Sequence, residues 1–89
     1  MKQLSLKIYG HVQGVGFRYM ARKKAKELSL TGYIKNNIDG TVEAVVEGLD
    51  ENLQIFLTWC YNGVKSTRVE RIEEDWGEAE GKYKEFFIK

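Results

Sequence analysis

The chain has little of what would staple, anchor or steer it. There is one cysteine, Cys60, among 89 residues. That excludes an intramolecular disulfide framework and any zinc site built on two or more thiolates. A single thiol is compatible with a reducing cytosol. There is no proline, which removes one source of slow folding phases. The only histidine, His11, stands at the end of a candidate strand and reads as a surface residue rather than a base. Neither sign of charge dominates: 14 Lys and Arg face 13 Asp and Glu, for a net charge of +1. The chain as a whole is therefore not drawn to nucleic acid or acidic lipid, and charge-driven binding must come from a local cluster. No apolar run approaches the ~18–20 residues of a membrane span. Met1 to Lys7 also lacks the uninterrupted apolar stretch of a signal peptide. These absences lead us to expect a cytoplasmic protein with no membrane and no nucleic-acid partner. The length suits one domain, 1–89, because independent cores usually need about 100 residues, and nothing in it requires more than a monomer.

What is present is a clear alternation of patterns. Leu4, Leu6 and Ile8 alternate with Ser5 and Lys7, which predicts a half-buried strand. Gly10 to Gly16 reads as a glycine-bearing turn. Phe17, Met20, Ala21, Ala25 and Leu28 then recur at helical spacing, opposite Arg22, Lys23, Lys26 and Glu27. Tyr33–Asn36 and Thr41–Glu47 read as strands joined at Asp39-Gly40, a pair that suits the positive φ angles of a type I′ hairpin turn. Asp50 is the expected N-cap of a second helix, with Leu53, Phe56, Leu57 and Cys60 as its apolar stripe and Gly63 at its end. Val69 and Ile72 have opposite parity within Arg68–Trp76, which suggests a bulge or a late strand start. Tyr83–Ile88 closes the chain as a short strand. The order β-α-β-β-α-β predicts an α+β, ferredoxin-like sandwich, one antiparallel sheet with two helices on one face. A right-handed crossover makes the first two strands parallel, so the segment 10–18 and Asn36 meet at the same end of the sheet.

The segment richest in chemical signals is Gly10-His11-Val12-Gln13-Gly14-Val15-Gly16-Phe17-Arg18. Glycines let successive N–H groups point into one concavity, and a helix start adds free donors and partial positive charge. The combination suits an anion, phosphate above all, and the Arg18 guanidinium matches two phosphate oxygens. The same residues can also be read as a tight turn with a solvated arginine, and spacing alone favours the turn. An arginine at a helix start conflicts mildly with the helix dipole, as residues at functional sites often do. No Walker A run is present, and Gly14-Val15-Gly16 lacks the third glycine of a dinucleotide fingerprint.

Taken with Ala25, Leu28, Leu30, Gly32, Asn36, Asp39, Gly40 and Val42, this run resembles the acylphosphatase family. Its pattern is G-x-V-Q-G-V-x-F-R, then A-x-x-L-x-L-x-G, an asparagine and a D-G hairpin, and Phe86-Phe87-Ile88 is similar to its closing F-x-I. The resemblance spans essentially the whole chain. It implies hydrolysis of acyl phosphates to a carboxylate and inorganic phosphate without cofactor or metal. It places the catalytic residues on Arg18 and Asn36 and the phosphate-binding loop on Gln13, Gly14, Val15, Gly16, Phe17 and Arg18. Chemistry agrees, since a mixed anhydride has a good leaving group and its hydrolysis can rest on charge stabilisation and positioning. An amide such as Asn36 can orient water but cannot act as a general base.

Other readings compete. An RNA-recognition module would carry stacking aromatics on its third strand, but Gly40–Glu47 has two acids and no aromatic. A non-catalytic domain that only binds phosphate or acyl phosphate is the alternative to an enzyme. Cys60 is expected to be buried. Tyr19, Tyr33 and Trp59 are expected to pack. The acids from Glu70 to Glu80 are expected to form a solvated edge. Arg22, Lys23, Lys24 and Lys26 read as solvated surface, with Lys23–Glu27 as an i,i+4 pair.

Overall fold

Seven elements follow the predicted order in the computed structural model, which describes residues 1–89. They are β1 (Lys2–His11), α1 (Phe17–Glu27), β2 (Thr31–Asn36), β3 (Val42–Gly48), α2 (Asp50–Asn62), β4 (Arg68–Glu78) and β5 (Phe86–Ile88). The sheet order is β4-β1-β3-β2-β5. β3 lies between β1 and β2 and is antiparallel to both, so β1 and β2 run in the same direction and their C-terminal ends reach the same end of the sheet. The expected antiparallel pairing holds for four strands. β5 adds one parallel pairing, Ile34 facing Ile88 on β2. The connection after β4 carries the chain from one edge of the sheet to the other and reverses its direction, which aligns β5 with β2.

Side-chain parity explains the layers. Leu4, Leu6 and Ile8 of β1, Ile34 of β2, and Val42, Ala44 and Val46 of β3 are buried on one face, under Phe17, Ala21 and Ala25 of α1 and Leu53, Phe56, Leu57 and Cys60 of α2. Full burial of each large side chain contributes about 1.5–3 kcal/mol. Phe56 bridges to Phe86 of β5, their ring centroids 6.2 Å apart. Trp59 stacks on Phe17 at 5.9 Å with an interplanar angle of 10°. Because Phe17 opens α1, this stack ties the start of that helix to α2.

Local details refine several expectations. The parity change in β4 is a bulge: Tyr9 faces Arg71 and Gly10 faces Val69, leaving Glu70 as the extra residue. Asp50 is the first residue of α2 and not its cap, because Leu49 is extended there and supplies no side-chain bond. Asp50 and Glu51 instead place negative charge in the first turn, where the helix dipole favours it. The hairpin turn is not type I′, because Gly40 has φ 90 while Asp39 keeps a negative φ. The Asp39 carboxylate instead accepts the Thr41 N–H (3.0 Å) and hydroxyl (2.6 Å), an Asx turn. Lys24, not Lys23, pairs with Glu27, at 3.7 Å. Tyr83 precedes β5 and packs between Tyr33 and Phe87. Tyr19 is exposed and is not packed as expected.

Candidate active site

The end of β1 leads into a loop whose side chains hold it from three directions. Val12 is buried in the core, and Val15 packs against it. The Ser66 hydroxyl donates to the Val15 carbonyl at 3.0 Å. Gln13 Nε2 donates to the carbonyls of Asn37 (2.8 Å) and Thr41 (2.9 Å), fastening the loop to the β2–β3 turn. Between these anchors Gly14 has φ 74 and Gly16 has φ 81, left-handed values that cost an L side chain about 1–2 kcal/mol. A Cβ at either glycine would meet nothing within 4 Å. Conformation, not lack of space, therefore favours glycine there.

The result is a row of free donors. Gly16 caps α1 without a side-chain bond, and the first turn of α1 has no acidic residue. The first helical bond is made by Met20, whose N–H donates to the Gly16 carbonyl at 3.1 Å. No backbone N–H from Gln13 to Tyr19 donates to another group of the protein. A helix end normally satisfies such donors with a cap, solvent or a ligand. Here the sequence supplies glycine where a capping side chain would occupy the donors, and successive free N–H groups of this kind suit an anion.

The loop, α1, β2 and β5 enclose a cleft of about 160 Å³ lined by Val12, Gly14, Gly16, Phe17, Arg18, Tyr19, Asn36 and Ile88. Arg18 is the only charged residue of the lining, which contains no carboxylate. Its Nη1 lies 3.5 Å from the Lys89 carbonyl. Asn36, at the end of β2, shares its strand parity with the core residue Ile34 and so faces the helix side. Its Oδ1 is buried and has no hydrogen-bond partner. A buried acceptor without a partner costs about 1–3 kcal/mol, so a water or ligand is favoured there.

Of the residues singled out in the sequence, Gly14, Gly16, Phe17, Arg18 and Asn36 meet in this cleft. Gln13 and Val15 do not line it: one side chain clamps the hairpin and the other packs on the core. Val12, Tyr19 and Ile88 complete the lining and were not among the expected site residues. Val12 and Tyr19 flank the recognised loop, a signal the sequence did contain. Ile88 depends on β5 pairing with β2, which local pattern does not show. His11 is exposed and outside the lining. Cys60 is buried, and desolvation pushes its thiol well above the usual range. Arg18 and free backbone N–H groups, with no Asp or Glu in the lining, define the general class: an α+β sandwich with a cleft suited to an oxyanion at one end of its sheet.

Comparison with known proteins makes the class specific. A model of the acylphosphatase family matches residues 4–88. An acylphosphatase of Caldanaerobacter subterraneus is 45% identical over 87 residues, 98% of this chain and 97% of that one. The Thermus thermophilus acylphosphatase is 48% identical over 81 residues, 91% and 92% of the two chains. The crystal structure of acylphosphatase from Bacillus subtilis superposes with a TM-score of 0.96 at 35% identity, covering 100% of this chain and 99% of that one. A HypF structure from T. kodakarensis matches all of this chain with a TM-score of 0.85 and 36% identity, over 12% of its own length. The chain belongs to the acylphosphatase family.

Proposed function

We propose that in this acylphosphatase, which hydrolyses acyl phosphates, Gln13 to Arg18 form the phosphoryl cradle, Arg18 neutralises the transferring group and Asn36 holds the attacking water. The observation that carries the assignment is the buried, unpartnered Oδ1 of Asn36 beside Arg18 and the free loop amides. Asn36 Oδ1 accepts a hydrogen bond from the water and aims its oxygen at phosphorus. The P–O bond to the acyl group breaks in line, and its electron pair leaves with the carboxylate. Starting from the acyl phosphate dianion, the products are a carboxylate and dihydrogen phosphate. Both protons of the water stay on the phosphate, so no protein base is required. Arg18 and the loop N–H groups stabilise the charge on the equatorial oxygens. On this reading catalysis needs no cofactor. The free, buried Cys60 agrees with a cytoplasmic location, and the heavily charged edge strand β4 disfavours pairing between copies and agrees with a monomer.

The test is hydrolysis of benzoyl phosphate in excess EDTA by the parent, Arg18→Ala and Asn36→Ala. Loss of one preorganised donor typically lowers the rate about 10²–10³-fold. Both variants are expected to fall at least that far while keeping native circular dichroism. Phosphate inhibition should weaken in Arg18→Ala and stay near the parent value in Asn36→Ala. A folded Asn36→Ala enzyme with the parent's rate would overturn the water-holding role.

A further inference from the structure

The cleft sets polar groups, the glycine loop, Arg18 and Asn36, beside apolar side chains, of which Val12 and Phe17 are buried. Two large side chains of its lining remain open to solvent: Tyr19, 64% exposed, and Ile88, 37% exposed. Neither belongs to the core cluster, so core packing does not account for them. Tyr19 follows Arg18 directly on the first turn of α1. Ile88 is fixed by its pairing with Ile34, and the next residue locks that register, the Lys89 N–H donating to the Ile34 carbonyl at 2.9 Å. Two apolar surfaces from different elements thus border one opening.

The geometry points to Tyr19 and Ile88 as the contact surface for the acyl group, so that the enzyme favours acyl phosphates whose acyl part is aromatic or bulky and apolar over acetyl phosphate. The inference rests on the assignment of Arg18 and the loop to the phosphoryl group. With the phosphoryl group held by Arg18 and the loop and water at Asn36, the acyl substituent is left to the rest of the lining. That lining offers no Asp or Glu and no cation besides Arg18, which is already engaged with phosphoryl oxygens. Covering Tyr19 and Ile88 removes apolar area from water, a gain that grows with the acyl group and is absent for inorganic phosphate. An exposed aromatic beside a polar anchor is also a common way to add contact area with few rotatable bonds.

The experiment compares kcat/KM for benzoyl and acetyl phosphate in the parent, Tyr19→Ala, Tyr19→Phe and Ile88→Ala, with inorganic phosphate as a competitive inhibitor. The parent is expected to prefer benzoyl phosphate. Tyr19→Ala should reduce that preference about tenfold, which corresponds to about 1.4 kcal/mol, and Ile88→Ala should reduce it severalfold. Tyr19→Phe should retain it, and phosphate inhibition should stay within twofold of the parent in all three. A benzoyl to acetyl ratio unchanged in both alanine variants would overturn the inference. So would an equal fall for both substrates accompanied by weaker phosphate inhibition, because that would show the side chains merely hold the loop. Failure of the catalytic assignment shows separately, as Arg18→Ala and Asn36→Ala that retain the parent's rate. Failure of the acyl-contact inference leaves those two variants impaired and the substrate ratio unmoved.

Discussion

Replacing Gln13 by alanine asks whether one side chain holds the two halves of the site at their working distance. Its Nε2 donates to the Asn37 and Thr41 carbonyls at 2.8 and 2.9 Å. Both acceptors are carbonyls, so only the amide nitrogen can face them. A net intramolecular hydrogen bond contributes about 0.5–1.5 kcal/mol, so losing two costs about 1–3 kcal/mol. In a domain of this size each kcal/mol moves Tm by about 4–8 °C, so the variant should melt roughly 10 °C lower. The kinetic effect should be larger than this implies. The clamp sets the position of the loop amides relative to Asn36, the residue just before Asn37, and a misplacement of about 1 Å can cost about 10²-fold in rate. We expect kcat to fall about 10- to 100-fold, while phosphate inhibition, assigned above to the loop and Arg18 and not to Asn36, weakens far less. Gln13→Glu is the sharper variant, since it sets a carboxylate against two carbonyl oxygens and should be less stable than alanine at neutral pH. Thermal melts by circular dichroism and steady-state benzoyl phosphate kinetics give both readouts. A Gln13→Ala enzyme with unchanged Tm and kcat, or a Gln13→Glu enzyme as stable as the parent, would refute the clamp.

Three further substitutions probe the frame around the site. Gly32 has φ 135, and a Cβ there would collide with the Val45 carbonyl, so Gly32→Ala should cost about 3 kcal/mol or more; a urea midpoint close to the parent's would contradict this. The Asp39 carboxyl is held down to about 2 by the Thr41 hydroxyl and N–H, with help from Lys7. A lowered pKa contributes stability that is complete above the ordinary value of about 3.9 and is lost as pH falls through the folded value. Asp39→Asn should therefore flatten the fall in Tm between about pH 4 and pH 2, and identical acid limbs in both proteins would rule the contribution out. Glu47 is 3% exposed. Burial raises its carboxyl, but the N–H groups of Glu80 and Gly81, the Gln3 amide and the charge of Lys82 leave it below the usual range. Its stabilisation is accordingly present above the ordinary carboxylate pKa and lost on acidification. Glu47→Gln should cost about 1.5–3 kcal/mol at neutral pH and speed amide exchange in residues 79–88 before the rest of the chain, whereas a uniform change across the chain would show that Glu47 does not anchor this connection.

The parts of the site written in consecutive residues were legible, and the parts that depend on strand pairing were legible only as far as topology reached. The loop announced itself because Gly10 to Arg18 concentrates three glycines and an arginine between a strand pattern and a helix pattern. Asn36 followed from one rule, the right-handed crossover that brings the ends of β1 and β2 together. The role of Gln13 was not legible. Sequence places its backbone in the loop, but only the fold reveals that its side chain turns to the hairpin carbonyls. The turn at Asp39-Gly40 was located correctly and typed wrongly, because the Asp39 carboxylate finds Thr41 and keeps that residue out of positive φ. Tyr83–Ile88 reads as a closing strand, but local pattern does not show what Ile88 lies beside: β5 has three residues, and its partner β2 stands about fifty residues earlier in the sequence. Its register is nevertheless fixed by burial. Phe86 is fully buried against Phe56 while Phe87 is partly exposed. A slip of one residue would exchange them, drawing Phe86 out of the core and turning Ile88 away from the cleft. The same packing that closes the core therefore delivers Ile88 to the cleft, beside Asn36 from the neighbouring strand.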